Sequence, residues 1–432
     1  MMSDNGLFRH SEIHLRPDPS RTVIRPFDLD YPQAFRNDAH PRMQQIAERV
    51  LSLDDARLLK EHEAIIASLA DRHRDIDKIL LRRFDEIRER LPAAQGASRE
   101  AALAIGAYFS EEYSYEAAAL FNPSMVLRAD QTGAPSGGVR FLLSLRGIGE
   151  GHISSVTFRT GTWSPSGGFA LDKGSNQAIS PRIDAPAEGV ENGMTRVVCE
   201  GSEDVSESVL FPVTASQQRG IEDLRLVRFV EEDGHVEYLG TYTAFDGRDA
   251  RSEVLRATGF RNFEMHPLAG SAAAEKGMAL FPRKIDGRFA MLGRQDSESI
   301  WLLASDSLYS WDGGIKVVSP RFPWEFVQLG NCGSPIEIDE GWLVLTHGVG
   351  MARNYCMGAC LLDKADPSKL LARTREPILR PSPHERDGYV PNVVYSCGSI
   401  VHDRTLLLPY GVADNFAAFA TASVDELLKA ME

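Results

Sequence analysis

The sequence predicts an all-β domain, a five-bladed β-propeller, carrying an N-terminal helical extension, and three observations lead there. Apolar positions recur every three to four residues between about 41 and 118, as on amphipathic helices. From about 120 the texture changes to short β-rich runs punctuated by Gly, Asp and Asn. Within this β-rich stretch a single arrangement repeats five times: a polar motif leads into an apolar strand, a tight acidic or Gly-containing turn follows, and a second strand ends on another polar motif. We therefore divide the chain into an extension, residues 1–117, and a propeller, residues 118–432.

The helical reading rests on QQIAERVLSL, ARLLKEHEAIIASLADRHRDIDKILLRRFDEIRERL and REAALAIGAYFSEEYSYEAAAL. Ser52 and Asp54 are capping candidates and Pro92 a stop, so Leu53 to Leu91 reads as one long helix or a kinked pair. The charge run DRHRDIDKILLRR reads as a solvated face with i,i+4 pairs. The apolar stripe needs a cover, either the body of the protein or a second subunit, so the helices are the expected site of any homo-oligomer contact.

The five repeats are FNPSMVL with VRFLLSLRG, IEDLRLVRF with VEYLGTYTAFDG, KGMALFPRK with RFAMLGRQ, CGSPIEI with GWLVLTHGVG, and VPNVVYSCGSI with TLLLPYGVAD. The turns of the last four, near Asp233, Asp286, Asp339 and Asp403, are 53, 53 and 64 residues apart, against about 50 for a propeller blade. The longer first interval holds ISSVTFRTG and a Gly-rich turn, which reads as an insertion. An open two-sheet sandwich would not need the same polar punctuation in each copy.

In a propeller the inner strands converge on a channel, so the punctuating residues share one opening. The leading motifs supply Asn122, Asp223, Lys276, Ser334 and Asn392; the trailing ones supply Arg146, Tyr242, Asp246, Arg294, His347, Tyr410 and Asp414. Carboxylates, amides, aromatic rings and cations together suit a polyhydroxylated ligand bearing or accompanied by an anion such as phosphate.

Bulk properties narrow the partners. A net charge of −14 opposes nucleic-acid binding. The N-terminus lacks a signal-peptide core and no apolar run is long enough to span a bilayer, so a cytoplasmic protein without a membrane partner is expected. Cys199, Cys332, Cys356, Cys360 and Cys397 read as reduced structural thiols. No HExxH or clustered Asp/His spacing suggests a metal.

GIEDLRL and YTAFDG, then KGMALFP, GWLVLTHGV, REPILRP, GYVPNVVYSCG and YGVAD, resemble glycoside hydrolase family 130 over about residues 118–432. The resemblance implies a five-bladed propeller and inverting phosphorolysis of β-mannosides to α-mannose 1-phosphate, with inorganic phosphate as co-substrate and no other cofactor. A minority of the family are β-mannosidases, which here would need a carboxylate such as Glu264 or Glu275 to activate water. A non-catalytic sugar-binding propeller is the third alternative. The resemblance implies Asp223 as the general acid, acting through a sugar hydroxyl. It implies Lys276, His347, Tyr355 and Arg256 for phosphate, with Arg251 and Arg261 as alternatives to Arg256, and Asn122, Arg146 and Asp414 for the mannosyl hydroxyls. The sequence departs from the family pattern at Leu224, Thr346 and Gly293, where proline, tyrosine and histidine are usual. His152, in the cluster EGHISS, reads equally as a sugar contact or a structural residue.

Overall fold

A computed structural model describes residues 6–27, 29, 40–179, 181–184, 193–274 and 276–432. The chain forms two compact units, a β-rich one comprising residues 6–18, 116–175 and 181–432, and a mainly helical one comprising Pro19–Tyr115 with a short segment near 176–179.

The helical unit contains helices Arg42–Leu51, Asp55–Leu69, Ile76–Ile87 and Arg99–Tyr108. Asp54 caps the second, accepting from the Arg57 backbone N–H at 2.8 Å. The stretch after Leu53 is a broken pair of helices, and the break falls inside the charge run. His73 is only 5% exposed and bonds Glu112 at 2.8 Å, and Asp75 turns the chain in the left-handed region at φ 52°. Thus DRHRD is the break itself, and one of its residues is interior. The last helix also ends early. Ser110–Ser114 forms a strand paired with Thr22–Pro26, with Tyr113 buried under the Arg25 guanidinium.

In the β-rich unit the strands are antiparallel apart from short parallel bridges. One eleven-stranded sheet starts with Ala119–Leu127, Val139–Ile148 and Ser154–Ser164, and continues with Gly220–Val230, Val236–Phe245, Ala250–Thr258 and Asn262–Pro267. A single parallel pairing, Gly220 with Ser154, joins those two groups. ISSVTFRTG is therefore no insertion: it is the third strand of the first group, paired with Val139–Ile148 over ten positions. A four-stranded sheet spans residues 279–318, and a five-stranded sheet spans residues 328–373.

The last sheet pairs Thr405–Val412 with Phe416–Ser423 and takes its outer strand, Arg9–Leu15, from the N-terminus. Residues 6–18 thus belong with the β-rich unit instead of the helical extension, because strand Phe416–Ser423 needs a partner on its free edge.

Strand Gly341–Val349 is buried at all nine positions. It is covered on both faces, so it reads as a continuous apolar run instead of an alternating one. The first strands of the sheets are bound to one another. Ser124 of the first accepts from the Leu226 backbone N–H at 3.0 Å, and Cys397 N–H donates to Pro123 O at 2.9 Å. Arg225, 4% exposed, donates to Gly277 O (3.1 Å), Asn331 O (2.8 Å) and the Tyr395 hydroxyl. One guanidinium therefore links three strands and the loop before Ala279–Leu280, all far apart in sequence. All five cysteines are free and buried.

Candidate active site

Two β-bulges aim the central side chains. Pairing slips between Phe121 and Ser124 in the first strand, and between Glu222 and Arg225 in Gly220–Val230. Asn122 (φ 48°) and Asp223 (φ 52°) occupy these slips in the left-handed region, as does Asp414 (φ 50°) in the turn after Thr405–Val412. Asn and Asp tolerate that region better than other non-glycine residues, and a bulge re-aims a side chain out of the regular pleat.

All three line one cavity of about 280 Å³ together with Arg146, Glu222, Arg225, Thr243, Lys276, Arg294, Gln328, His347, Arg353, Tyr355 and Tyr395. Of the residues taken from the sequence for acid, phosphate and mannosyl roles, Asp223, Lys276, His347, Tyr355, Asn122, Arg146 and Asp414 are thereby brought together. Arg256 is not. It lies on Ala250–Thr258 with its guanidinium on Glu237 at 2.7 Å and on the Tyr309 hydroxyl at 3.3 Å. Its carboxylate partner makes it a sheet-surface residue, and Arg294 and Arg353 stand on the cavity wall instead.

Of the wider constellation, Arg294 also lines the cavity, whereas Ser334 lines a separate one. Asn392 offers its carbonyl to Tyr355 N–H at 2.9 Å. Tyr242 is buried on Glu253 and Asp246 caps a turn. Tyr410 bonds His10. Tyr242 misses the cavity because its neighbour Thr243 has the inward phase of the strand, and side chains alternate. Glu264 pairs with Arg196 at 2.9 Å, away from the cavity, and Glu275 lies outside the described residues.

The carboxylates form one group. Asn122 Nδ2 donates to Asp223 Oδ1 at 2.8 Å, and Arg146 reaches Glu222 at 2.7 Å and Asp223 at 3.4 Å. Arg146 Nε is held by Ser154 Oγ at 2.6 Å. Burial would push the Asp223 carboxyl up, but the Arg146 charge, the Asn122 hydrogen bond and the Arg225 and Lys276 charges outweigh it. They hold Asp223 below the ordinary range. Asp414 is pushed the other way, to about 6, by burial and by the Asp223 charge, only partly offset by Arg146 and Arg353.

The four- and five-stranded sheets and their loops supply the other group: Lys276, Arg294, Gln328, His347, Arg353 and Tyr355. His347 stacks on Tyr355, with ring centroids 6.1 Å apart and planes at 10°, and meets Tyr395 edge-on at 5.0 Å. Gly330, opposite it in the pairing, makes room: a Cβ there would lie 2.4 Å from His347 Cε1. Burial, with the Arg294 and Arg225 charges, pushes the imidazole well below its ordinary value, so it is neutral at pH 7. Among the described residues no group of three or more His, Cys, Asp or Glu is placed to hold a metal ion, and no helix is long and apolar enough to cross a membrane.

Sequence reasoning missed Glu222, Arg225, Thr243, Gln328, Arg353 and Tyr395. Glu222 and Arg225 flank Asp223 inside the motif already singled out, which was the available signal for them.

The chain is similar to a 1,2-β-oligomannan phosphorylase of Thermoanaerobacter sp. (strain X514), 35% identical over 227 residues, 52% of this chain and 75% of the relative. A β-1,2-mannobiose phosphorylase of Listeria innocua is 34% identical over 233 residues, 52% of this chain and 63% of that protein. The solved structure of a Listeria innocua β-1,2-mannobiose phosphorylase with β-1,2-mannobiose superposes with a TM-score of 0.51 at 22% identity, covering 74% of this chain and 92% of the other. A glycosyl hydrolase structure from Bacteroides ovatus gives 0.54 at 17% identity, over 73% and 87%. At those identities the superpositions speak for the fold alone. The profile of glycoside hydrolase family 130, described as β-1,4-mannooligosaccharide phosphorylase, matches residues 188–432, more than half of the chain. The chain belongs to glycoside hydrolase family 130.

Proposed function

We infer that this protein is an inverting phosphorylase of β-mannosides, a glycosyl-transferring enzyme that uses inorganic phosphate and yields α-mannose 1-phosphate. One observation carries the reading. The wall contributed by the four- and five-stranded sheets offers Lys276, Arg294, Arg353 and a neutral His347, and no carboxylate among its described lining residues. An inverting hydrolase needs a base opposite its acid to activate water; phosphate arrives already anionic and needs cations and donors instead. The lining carboxylates Glu222, Asp223 and Asp414 all belong to the other group. The names of the relatives support the same chemistry.

In this reading Asn122, Arg146 and Asp414 hold the mannosyl hydroxyls, and Asp223 gives the proton that the leaving oxygen needs, relayed by a sugar hydroxyl. Asp223 is ionised in the free site because of the cations around it. A phosphate dianion beside Lys276 and Arg294 cancels part of that field and raises the affinity of Asp223 for a proton. The acid is thus armed when the nucleophile is bound. The proton balance closes, since hydrogen phosphate brings one proton and the released sugar leaves with one. No cofactor beyond phosphate is required.

We read the β-rich unit as five blades, the eleven-stranded sheet being two blades joined through Gly220 and Ser154. Exposed Leu53 and Leu59 in the helical unit favour self-association there, and the reaction is assigned to the cytoplasm. The test is incubation of β-linked mannobioses with and without phosphate. Mannose 1-phosphate formed only with phosphate is expected; free mannose released equally fast without it refutes the reading.

A further inference from the structure

Two rings meet from separate loops, one on the turn after the strand bearing Arg146 and the other on a loop bonded to the turn bearing Asp414. His152 stands at φ 56° on the turn between Val139–Ile148 and Ser154–Ser164, which is the turn that follows Arg146. Its ring lies 5.5 Å from that of Tyr389, with 39° between the planes. Tyr389 directly precedes Val390, which lines the cavity, yet its own side is open: it is 78% exposed. A large aromatic ring left in water next to a polar cavity is not explained by core packing.

The loop carrying Tyr389 is held in place all the same. Asn415 Nδ2 donates to Asp387 O at 2.6 Å, and Val390 N–H donates to Ala413 O at 3.3 Å. Gly388 packs so closely that a Cβ would lie 2.0 Å from Ala413 O, a contact only glycine permits. Three attachments within four residues thus fix Tyr389 to the turn bearing Asp414 while its ring stays uncovered. The other turn is fixed by Gly149 N–H to Ile153 O at 3.3 Å and by the Arg146 to Ser154 bond.

We propose that Tyr389 and His152 form the platform for the acceptor sugar, the aldopyranose that leaves in phosphorolysis and attacks in synthesis. The inference rests on the phosphorolysis reading for its direction. Inversion requires nucleophile and leaving group on opposite faces of the mannosyl ring. Lys276, Arg294 and His347 come from the four- and five-stranded sheets and their loops, whereas these two rings stand on the turns next to Arg146 and Asp414, so a sugar on them is on the leaving-group side. A pyranose has one face of C–H groups carrying partial positive charge, which suits the negative face of the Tyr389 ring. The imidazole of His152 adds a donor and an acceptor for hydroxyls.

The test uses the full chain and the variants Tyr389→Ala, Tyr389→Phe and His152→Ala. In the synthetic direction, with mannose 1-phosphate and mannose, Tyr389→Ala should raise the acceptor KM about tenfold and leave the KM for mannose 1-phosphate within about twofold. His152→Ala should raise the acceptor KM by a smaller factor, and Tyr389→Phe, which keeps the ring face, should stay near the parent. An unchanged acceptor KM in Tyr389→Ala, or an equal rise for both substrates, overturns the platform. Calorimetric titration of β-mannobiose in phosphate-free buffer gives a readout independent of turnover, and about tenfold weaker binding to Tyr389→Ala is expected. A parent that needs no phosphate but binds mannobiose through Tyr389 refutes phosphorolysis and keeps the platform. A phosphorolytic parent matched by Tyr389→Ala in both assays refutes the platform alone, and a parent that binds no β-mannobiose refutes both.

Discussion

Asn122 donates a 2.8 Å hydrogen bond from Nδ2 to Oδ1 of Asp223, and both residues sit in the left-handed region at β-bulges of two different strands. Each bulge aims a side chain that a regular strand would not, and the bond between them fixes how the Asp223 carboxylate is oriented. Replacing Asp223 by Asn keeps the shape and removes the proton. Phosphorolysis should fall by about 10² to 10⁴ in kcat/KM, with an unchanged circular dichroism spectrum; activity within about threefold of the parent would remove Asp223 from the acid role.

The arginine assignment separates cleanly. Arg294→Ala should raise the KM for phosphate by about tenfold or more, since a charge-assisted contact is lost. Arg256→Ala should leave that KM unchanged, because its guanidinium is engaged by Glu237. Initial rates across a phosphate series decide between them.

Gly330→Ala probes His347 without touching it. The new Cβ would lie 2.4 Å from Cε1, so the ring must turn off Tyr355. A rise of several-fold in the phosphate KM is expected, with the KM for mannobiose moving less.

Arg225→Met should destabilise the protein by about 2–4 kcal/mol, because the buried Asn331 carbonyl and the Tyr395 hydroxyl lose this donor and Gly277 O keeps only its bond from Asn331 Nδ2. Urea unfolding measures it, and Arg225→Lys should recover only part of the loss, having no planar fork to span three acceptors.

Asp414 sets a pH dependence of stability. Its folded value, about 6, lies above its ordinary 3.8, so between those values the folded state holds the proton more tightly than the unfolded one. Stability therefore declines as pH rises from about 4 to 6, the reverse of the usual carboxylate. Asp414→Asn removes this contribution. Its melting temperature should exceed that of the parent by a few degrees at pH 7, and the gap should shrink toward pH 4. Glu222, Asp223, Arg146 and Arg353 face the same group and make the parent's curve broader than that of a single titration.

Much of this arrangement was legible in the sequence, for a physical reason. Asn122, Asp223, Arg146, His347 and Asp414 lie at the ends of strands that repeat, so counting strands locates them at one end of the unit. What could not be read depends on phase and on distant partners. The bulge at Asp223 and the alternation in Val236–Phe245 decide that Thr243, and not Tyr242, faces the cavity. Arg225 gains its role only from carbonyls and a hydroxyl at 277, 331 and 395. RSEVLRATGF gave no sign that Arg256 would lie opposite Glu264 in a strand pair. In the extension, His73 inside DRHRD looked like one more solvated charge, whereas Glu112, 39 residues on, draws it inward.

The central claim is that the cationic wall serves phosphate and not water. Following the purified protein with β-mannobiose and phosphate by phosphorus and proton NMR tests it most directly. Each mannobiose cleaved should consume one phosphate and produce α-mannose 1-phosphate as the first product. Free mannose accumulating from both halves while the phosphate signal stays constant would contradict it.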